Sequence, residues 1–180
     1  IEDHVTIGDS TSLGHGSIIG RKSTIGSNCR IGSGVVIGNE GFSSFVGDEG
    51  NLTSIRQIGR TIICDNVEIG VLSTVARGTI EDTIIKQNTH VGPQVHIGNN
   101  VTVGMSCRIA GKVQVNGSVI IGSESTLWAN CVIQDGVNIG SRAVVGMGAL
   151  VNSDVPQGQT VAMLGSTELR QLVKFKRTHK

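Results

Sequence analysis

The sequence predicts an all-β fold, a parallel β-helix, and three observations carry the prediction. An aliphatic residue recurs every six positions, at Ile7, Leu13, Ile19, Ile25, Ile31 and Ile37, and again from Ile85 through Val91, Ile97, Val103, Ile109, Val115, Ile121, Leu127, Ile133, Ile139 and Val145 to Val151. Two residues before each stands a small or β-branched residue: Val5, Thr11, Ser17, Ser23, Cys29 and Val35 in the first run, then Thr83 to Ala149 in the second. The chain is 38% apolar but only 2% aromatic, which suits a thin aliphatic stack. A strict period of six fits neither an α-helix nor a lone hairpin; it marks a solenoid.

Side chains alternate across a strand, so the two periodic columns both point inward. Three hexads per coil stack residues 18 apart, placing Ile97 on Val115, Ile133 and Val151. The residue after each aliphatic is mostly Gly, sometimes Asn (Asn116, Asn152), which is expected where a corner needs a left-handed backbone. Each coil buries its apolar face only against its neighbours, so the ends require caps.

The rhythm fails between Asn39 and Gln57, a Gly- and Ser-rich stretch holding Phe42 and Phe45, and an extruded loop is expected over residues 39–57. It returns at Ile58, Ile63, Ile69 and Val75, then slips over ARGTIEDT from Ala76 to Thr83. At the other end Leu169, Leu172, Val173 and Lys176 lie at helical spacing. The expected division is a β-helix over residues 1–164 and a short basic helical tail over residues 165–180. That helix either caps the open end or offers Arg170, Lys174, Lys176 and Arg177 to phosphates or to an acidic carrier protein.

A net charge of +1 gives no broad nucleic-acid footprint. No stretch has the length of a membrane span and no signal peptide is visible, so a cytoplasmic protein is expected. Position 1 is Ile, which leaves room for an upstream domain. Cys29, Cys107 and Cys131 fall on the inward column and read as buried structural thiols, whereas Cys64 replaces a corner Gly and is ambiguous.

The hexad pattern resembles the hexapeptide-repeat proteins, which coil left-handed against the usual crossover rule. GF at 41–42, QIGR at 57–60, VEIG at 67–70, ARGTIEDT at 76–83 and VHIGNNVTVG at 95–104 are similar in order and spacing to the UDP-3-O-acylglucosamine N-acyltransferases of lipid A assembly. The ending GMGALVNSDVPQGQTV, residues 146–161, looks more like the sugar acetyltransferases of the same superfamily. The resemblance implies a homotrimer with active sites in the clefts between prisms and acyl-CoA or acyl carrier protein as co-substrate, with no bound cofactor. The expected reaction moves an acyl or acetyl group to the amine of a nucleotide-linked amino sugar; the alternative is a catalytically degenerate trimer that binds or scaffolds.

Several positions depart from that family. Its catalytic His falls at Asn99, a second His near Asn130, and the Asp before its Arg-Gly pair at Ala76. Its uridine-gripping N-terminal domain has no counterpart in these residues. Asn99 has only an amide, able to orient a group or donate to an oxyanion but not to take a proton. His96, which precedes an inward aliphatic by one and points outward, is therefore the candidate base, with His90 one hexad earlier as a second outward His. Arg77, Asp82 and Asn130 are expected to bind substrate with His90, and Glu81 or Asp82 either to orient a His or to bind the sugar amine directly. Ala110 and Gly111 stand where similar enzymes admit a pantetheine arm. Trp128 replaces the corner Gly of the column Gly92, Ala110, Trp128, Gly146 and must project outward, either packing against a partner subunit of the trimer or, with Lys174, contacting the acyl donor. Two His six apart make weak ligand spacing, and no metal is expected.

Overall fold

In the computed structural model, which describes residues 1–163, the chain winds as a left-handed parallel β-helix. Its strands are mostly two residues long and stack into three parallel sheets of seven, eight and seven strands, one per face of a triangular prism. The first face runs from Thr6–Ile7 to Asn138–Ile139, the second from Ser12–Leu13 to Thr160–Val161, and the third from Ile18–Ile19 to Leu150–Val151. Among the described residues there is no helix. The tail over 165–180 lies outside them.

Both inward columns are buried as the alternation requires, with the aliphatic residues from Ile19 to Val151 forming one continuous core. The expected stack holds: Ile97 pairs with Val115, Val115 with Ile133, and Ile133 with Val151. Inward hydroxyls fit this core by bonding across coils. Thr89 Oγ1 donates to the Gly104 carbonyl at 2.8 Å and accepts the Cys107 amide at 3.2 Å. Ser125 and Thr11 reach the Gly140 and Gly26 carbonyls in the same way, at 2.9 and 2.7 Å. Cys29, Cys107 and Cys131 are buried free thiols, and Cys64 is partly exposed.

Two expectations are corrected. At regular corners left-handed backbone falls three residues after the aliphatic, mostly at polar residues such as Asn28 (φ 57), Asn100 (φ 58) and Asn130 (φ 60) or at Gly such as Gly136 (φ 72), and not at the Gly that follows the aliphatic; Gly38 (φ 80), where the chain leaves for the extrusion, is the exception. That Gly answers to close approach between coils: a Cβ on Gly98 would lie 2.8 Å from the Asn116 carbonyl carbon and 2.9 Å from the Gly117 nitrogen. The second correction concerns Ile58, which is 66% exposed and belongs to the extrusion; the rungs resume at Ile63.

Register measures both breaks. Ile25 pairs with Ile63, 38 residues on where a plain coil takes 18, so the first break inserts 20 residues. Ile63 pairs with Ile85, 22 on, so the second inserts four. The first insertion is not featureless: Ser44–Val46 and Leu52–Ser54 pair antiparallel as a projecting hairpin. Both insertions leave from the edge where the chain passes from the third face to the first, and Asn99 lies on that edge one coil further on.

Candidate functional site

The edge between the third and first faces gathers both irregular backbone segments, together with Arg60, Arg77, Thr79, Asp82 and Asn99. Gly59 and Gly78 allow the chain to fold tightly there, since a Cβ on either would run into the Glu81 carbonyl oxygen. The step is tied to the base of the extrusion by backbone bonds from Ile58 N to Thr79 O (2.9 Å) and from Arg77 N to Asn39 O (2.9 Å). Asp82 completes the tie. Its carboxylate accepts the Arg60 amide at 2.8 Å and the Arg60 guanidinium at 2.7 Å, and this bond holds the carboxyl below the usual carboxylate range while raising the arginine.

Asn99 sits on this platform. Its Nδ2 donates to Thr79 Oγ1 at 3.0 Å, and the neighbouring Asn100 Oδ1 accepts the Thr79 amide at 2.7 Å. The Asn99 amide faces Gly41 of the extrusion, where an added Cβ would lie 3.2 Å from its Oδ1. Buried Gln57 fixes Gly41 by accepting its amide at 2.8 Å. On the first face beside this edge a cavity of about 490 Å³ is lined by Thr79, Ile80, Glu81, Asn100, Ser118 and Ile120, among others.

Arg77 is 3% exposed. Its Nε donates to the Gly59 carbonyl at 2.9 Å and its Nη2 reaches the Arg21 carbonyl at 3.4 Å. Burial, and then the proximity of Arg21, lower its pKa.

His96 stands apart on the third face. Its Nδ1 lies 2.7 Å from Thr74 Oγ1, the residue directly beneath it in register. Half-burial pushes its pKa below the usual 6.5, so the ring is neutral at neutral pH. Among the described residues no carboxylate hydrogen-bonds to it; Thr74 holds the position that Glu81 or Asp82 was expected to fill.

His90 belongs to the second face, not to the face of His96, because one hexad turns the chain through one corner. It stands in an outward ladder with Glu68 below and Arg108 above, its Nδ1 3.7 Å from Glu68 Oε2, and Glu68 also pairs with Arg30. Glu68, His90, Gly92, Arg108, Ala110 and Trp128 line a cavity of about 300 Å³. Trp128 projects outward as expected, 51% exposed. Asn130 is exposed at the following corner, where its backbone N–H donates to the Gly111 carbonyl at 3.3 Å.

The predicted residues thus fall into three groups on one prism. Arg77, Asp82 and Asn99 share an edge; His90, Ala110, Gly111, Trp128 and Asn130 cluster on and beside the second face; His96 lies between them on the third. Lys174 lies outside the described residues. Thr79, Gln57 and Thr74 were not singled out from the sequence. The four-residue step conceals Thr74, since it displaces the partner of His96 from 18 to 22 residues away. Among the described residues no three His, Cys, Asp or Glu side chains come together in a metal-binding arrangement.

The family model for the bacterial transferase hexapeptide (six repeats) matches residues 4–39, and that for the hexapeptide repeat of succinyl-transferase matches residues 118–153. The UDP-3-O-acylglucosamine N-acyltransferase of Rhizobium meliloti (strain 1021) is 33% identical over 138 residues, covering 77% of this chain and 39% of that protein. The enzyme of the same name from Caulobacter sp. (strain K31) is 34% identical over 125 residues, 69% of this chain and 36% of that protein. The chain therefore matches well under half the length of these relatives. A solved UDP-N-acetylglucosamine acyltransferase from Campylobacter jejuni superposes with a TM-score of 0.71 over 99% of this chain and 75% of its own, at 19% identity, which is a likeness of fold. Repeat matches at both ends and unbroken rungs between them make this chain a hexapeptide-repeat β-helix, similar in sequence to the UDP-3-O-acylglucosamine N-acyltransferases.

Proposed function

We propose that this chain is the β-helix of an acyltransferase that moves an acyl or acetyl group from a thioester, acyl-CoA or acyl carrier protein, to the amine of a nucleotide-linked amino sugar in lipid A-like or surface polysaccharide synthesis. The observation that carries this reading is the convergence of both backbone insertions and Asn99 on one edge, in a chain whose resemblance to N-acyltransferases runs through those same segments.

Acyl transfer needs an amine that loses a proton, donors for the thioester oxyanion, and reactants held in line. The amine nitrogen attacks the thioester carbonyl, the C–N bond forms, the C–S bond breaks, and the thiolate leaves to be protonated. Asn99 occupies the position of the family's catalytic His and serves as an oxyanion or orienting donor through its amide. The proton passes to His96. In the tautomer whose Nδ1–H donates to Thr74, Nε2 carries a free lone pair, and the lowered pKa keeps that lone pair available at neutral pH.

The second-face cavity with Ala110 and Trp128 is the acyl-donor side, and Gly111 beside it leaves the backbone open to a pantetheine arm. Since it lies on a different face from Asn99, the complete site requires a second copy, in a homotrimer whose prisms stand side by side. Exposed Ile18, Ile120, Met147 and Leu150 supply apolar surface for such packing.

The test is thiol release from acetyl-CoA and longer acyl donors with a panel of UDP-, dTDP- and GDP-linked amino sugars, with His96→Ala and His90→Ala beside the parent. Turnover that drops by a factor of about 100 or more in His96→Ala supports the relocated base. Turnover indifferent to both variants removes His from the mechanism. No thiol release from any pair, with acyl carrier protein also tried as donor, favours the binding or scaffolding trimer.

A further inference from the structure

One cavity on the insertion edge has a chemistry of its own. It measures about 210 Å³ and is lined by Arg21, Lys22, Arg56, Gln57, Ile58 and Arg77. Four of these six residues are cations, in a chain whose net charge is +1. They converge from three parts of the sequence: a corner of the second coil, the base of the extrusion, and the four-residue step. The two carboxylates beside them leave a local excess of positive charge. Glu40 makes a loose 3.4 Å contact to Arg21 between exposed side chains, and Glu2 accepts the Arg21 backbone amide at 2.8 Å.

Arg77 is the informative member. A buried guanidinium ordinarily has a carboxylate partner. Here, among the described residues, its hydrogen bonds go to two backbone carbonyls and none to an acid. A guanidinium has five N–H donors and presents them as a planar fork suited to phosphate oxygens. Burial, and then the neighbouring Arg21, lower its pKa, so an anion placed beside it would offset part of the cost of keeping it charged.

We infer that this pocket binds the diphosphate of a nucleotide substrate. The inference rests on the acyltransferase reading above for the word substrate, though not for the anion site itself. Several cations around a small cavity fit a compact polyanion better than a single carboxylate, and the volume leaves the nucleoside outside. Gln57 lines the pocket and holds Gly41, and Gly41 abuts Asn99, so a diphosphate seated here lies one side chain from the proposed reacting edge. Both a sugar nucleotide and CoA carry a diphosphate, and the experiment separates them.

Inorganic pyrophosphate titrated into the protein by calorimetry tests the pocket alone. Arg56→Gln and Lys22→Ala change exposed side chains and keep the fold, and Arg142→Ala, on a distant corner, is the control. Pyrophosphate should bind the parent and the control, and each pocket variant should weaken it by about tenfold. No binding, or binding indifferent to both pocket variants, overturns the inference. Displacement of pyrophosphate by UDP or GDP but not by CoA assigns the pocket to the acceptor, and the reverse assigns it to the donor. If neither nucleotide displaces it, the substrate assignment falls. Thiol release, measured separately, decides the acyltransferase reading, so the two can fail independently.

Discussion

His96 and Thr74 meet across adjacent coils of the third face, Nδ1 to Oγ1 at 2.7 Å, a polar pair on an otherwise largely aliphatic and amide ladder of Val36, Gln114 and Val132. The pair has a measurable consequence whether or not it is catalytic. Burial holds the folded-state pKa of His96 below the 6.5 expected when the chain is unfolded. The unfolded chain therefore binds the proton more readily, and the contribution of the neutral ring is complete above about pH 6.5 and is lost as pH falls through the folded value. Urea midpoints measured from about pH 7 to about pH 5 should fall more steeply in the parent than in His96→Gln. Parallel curves would show that the ring is not desolvated. In the acyltransferase reading, the acid limb of kcat/KM lies below pH 6.5 for the same reason.

Inward hydroxyls should divide into two classes. Thr89 bonds a carbonyl and an amide of the next coil, so Thr89→Val removes the hydroxyl and strands two buried backbone groups, at a cost of about 1–3 kcal/mol. Among the described residues Ser23 is buried with no hydrogen-bond partner for its Oγ: Gly38, which should present the carbonyl, turns to φ 80 where the chain leaves for the extrusion. Ser23→Ala should be neutral or stabilising within about 0.5 kcal/mol. Equal losses in chemical denaturation would contradict this division.

The core itself has little slack. Ile97 is fully buried between Val75 and Val115, and Ile97→Ala should cost about 2–5 kcal/mol where Ile97→Val costs about 0.5–1.5. Gly98→Ala tests the correction made to the corner. Its Cβ would press on the backbone of Asn116 and Gly117, so a loss of about 1–3 kcal/mol is expected at a position with no left-handed φ. A neutral Gly98→Ala would mean that the coils separate easily there.

These predictions mark what the sequence made legible. Burial is periodic when each coil repeats the last, so the columns through Ile97 and Cys107 could be read residue by residue. The same alternation put His90 and His96 outward. It could not separate them, because faces are assigned by counting corners and each corner consumes one hexad. Irregular segments obey no such count. Ile58 reads as a rung because it lies five residues before Ile63, close to the hexad period, and a Gly- and Ser-rich composition conceals the hairpin strand Ser44–Val46. The partners of Asn99 and His96 lie across the four-residue step, so no fixed spacing pointed to Thr79 or Thr74.

Thiol chemistry separates the four cysteines. Cys29, Cys107 and Cys131 are buried, and burial pushes the Cys131 thiol up to about 11. Cys64 is partly exposed, though burial and the adjacent Asp65 raise its pKa as well. A thiol-reactive disulfide at neutral pH should label one cysteine in the folded protein, slowly, and all four in denaturant. Peptide mapping should place the native label on Cys64. Fast labelling of a second site would reveal local opening of the β-helix.

The extrusion is the sharpest test of the division between scaffold and site. The hairpin strands Ser44–Val46 and Leu52–Ser54 contribute no core residue, and Phe42 at its root is 95% exposed. Ser43 and Ile55 already bridge its base, the Ile55 amide donating to the Ser43 carbonyl at 2.9 Å. Replacing residues 44–54 with Gly-Gly should therefore preserve Gln57, Gly41 and every rung. Stability should change by no more than about 1 kcal/mol, because no apolar surface of the coils is uncovered. The hairpin exposes Phe45, Val46 and Leu52 beside a polar edge; in the acyltransferase reading it contacts the acceptor, so the same deletion should raise KM for the acceptor or abolish turnover. A deletion that destabilises the β-helix strongly would make the hairpin part of the scaffold. One that leaves both stability and KM intact would strip it of any role in the reaction.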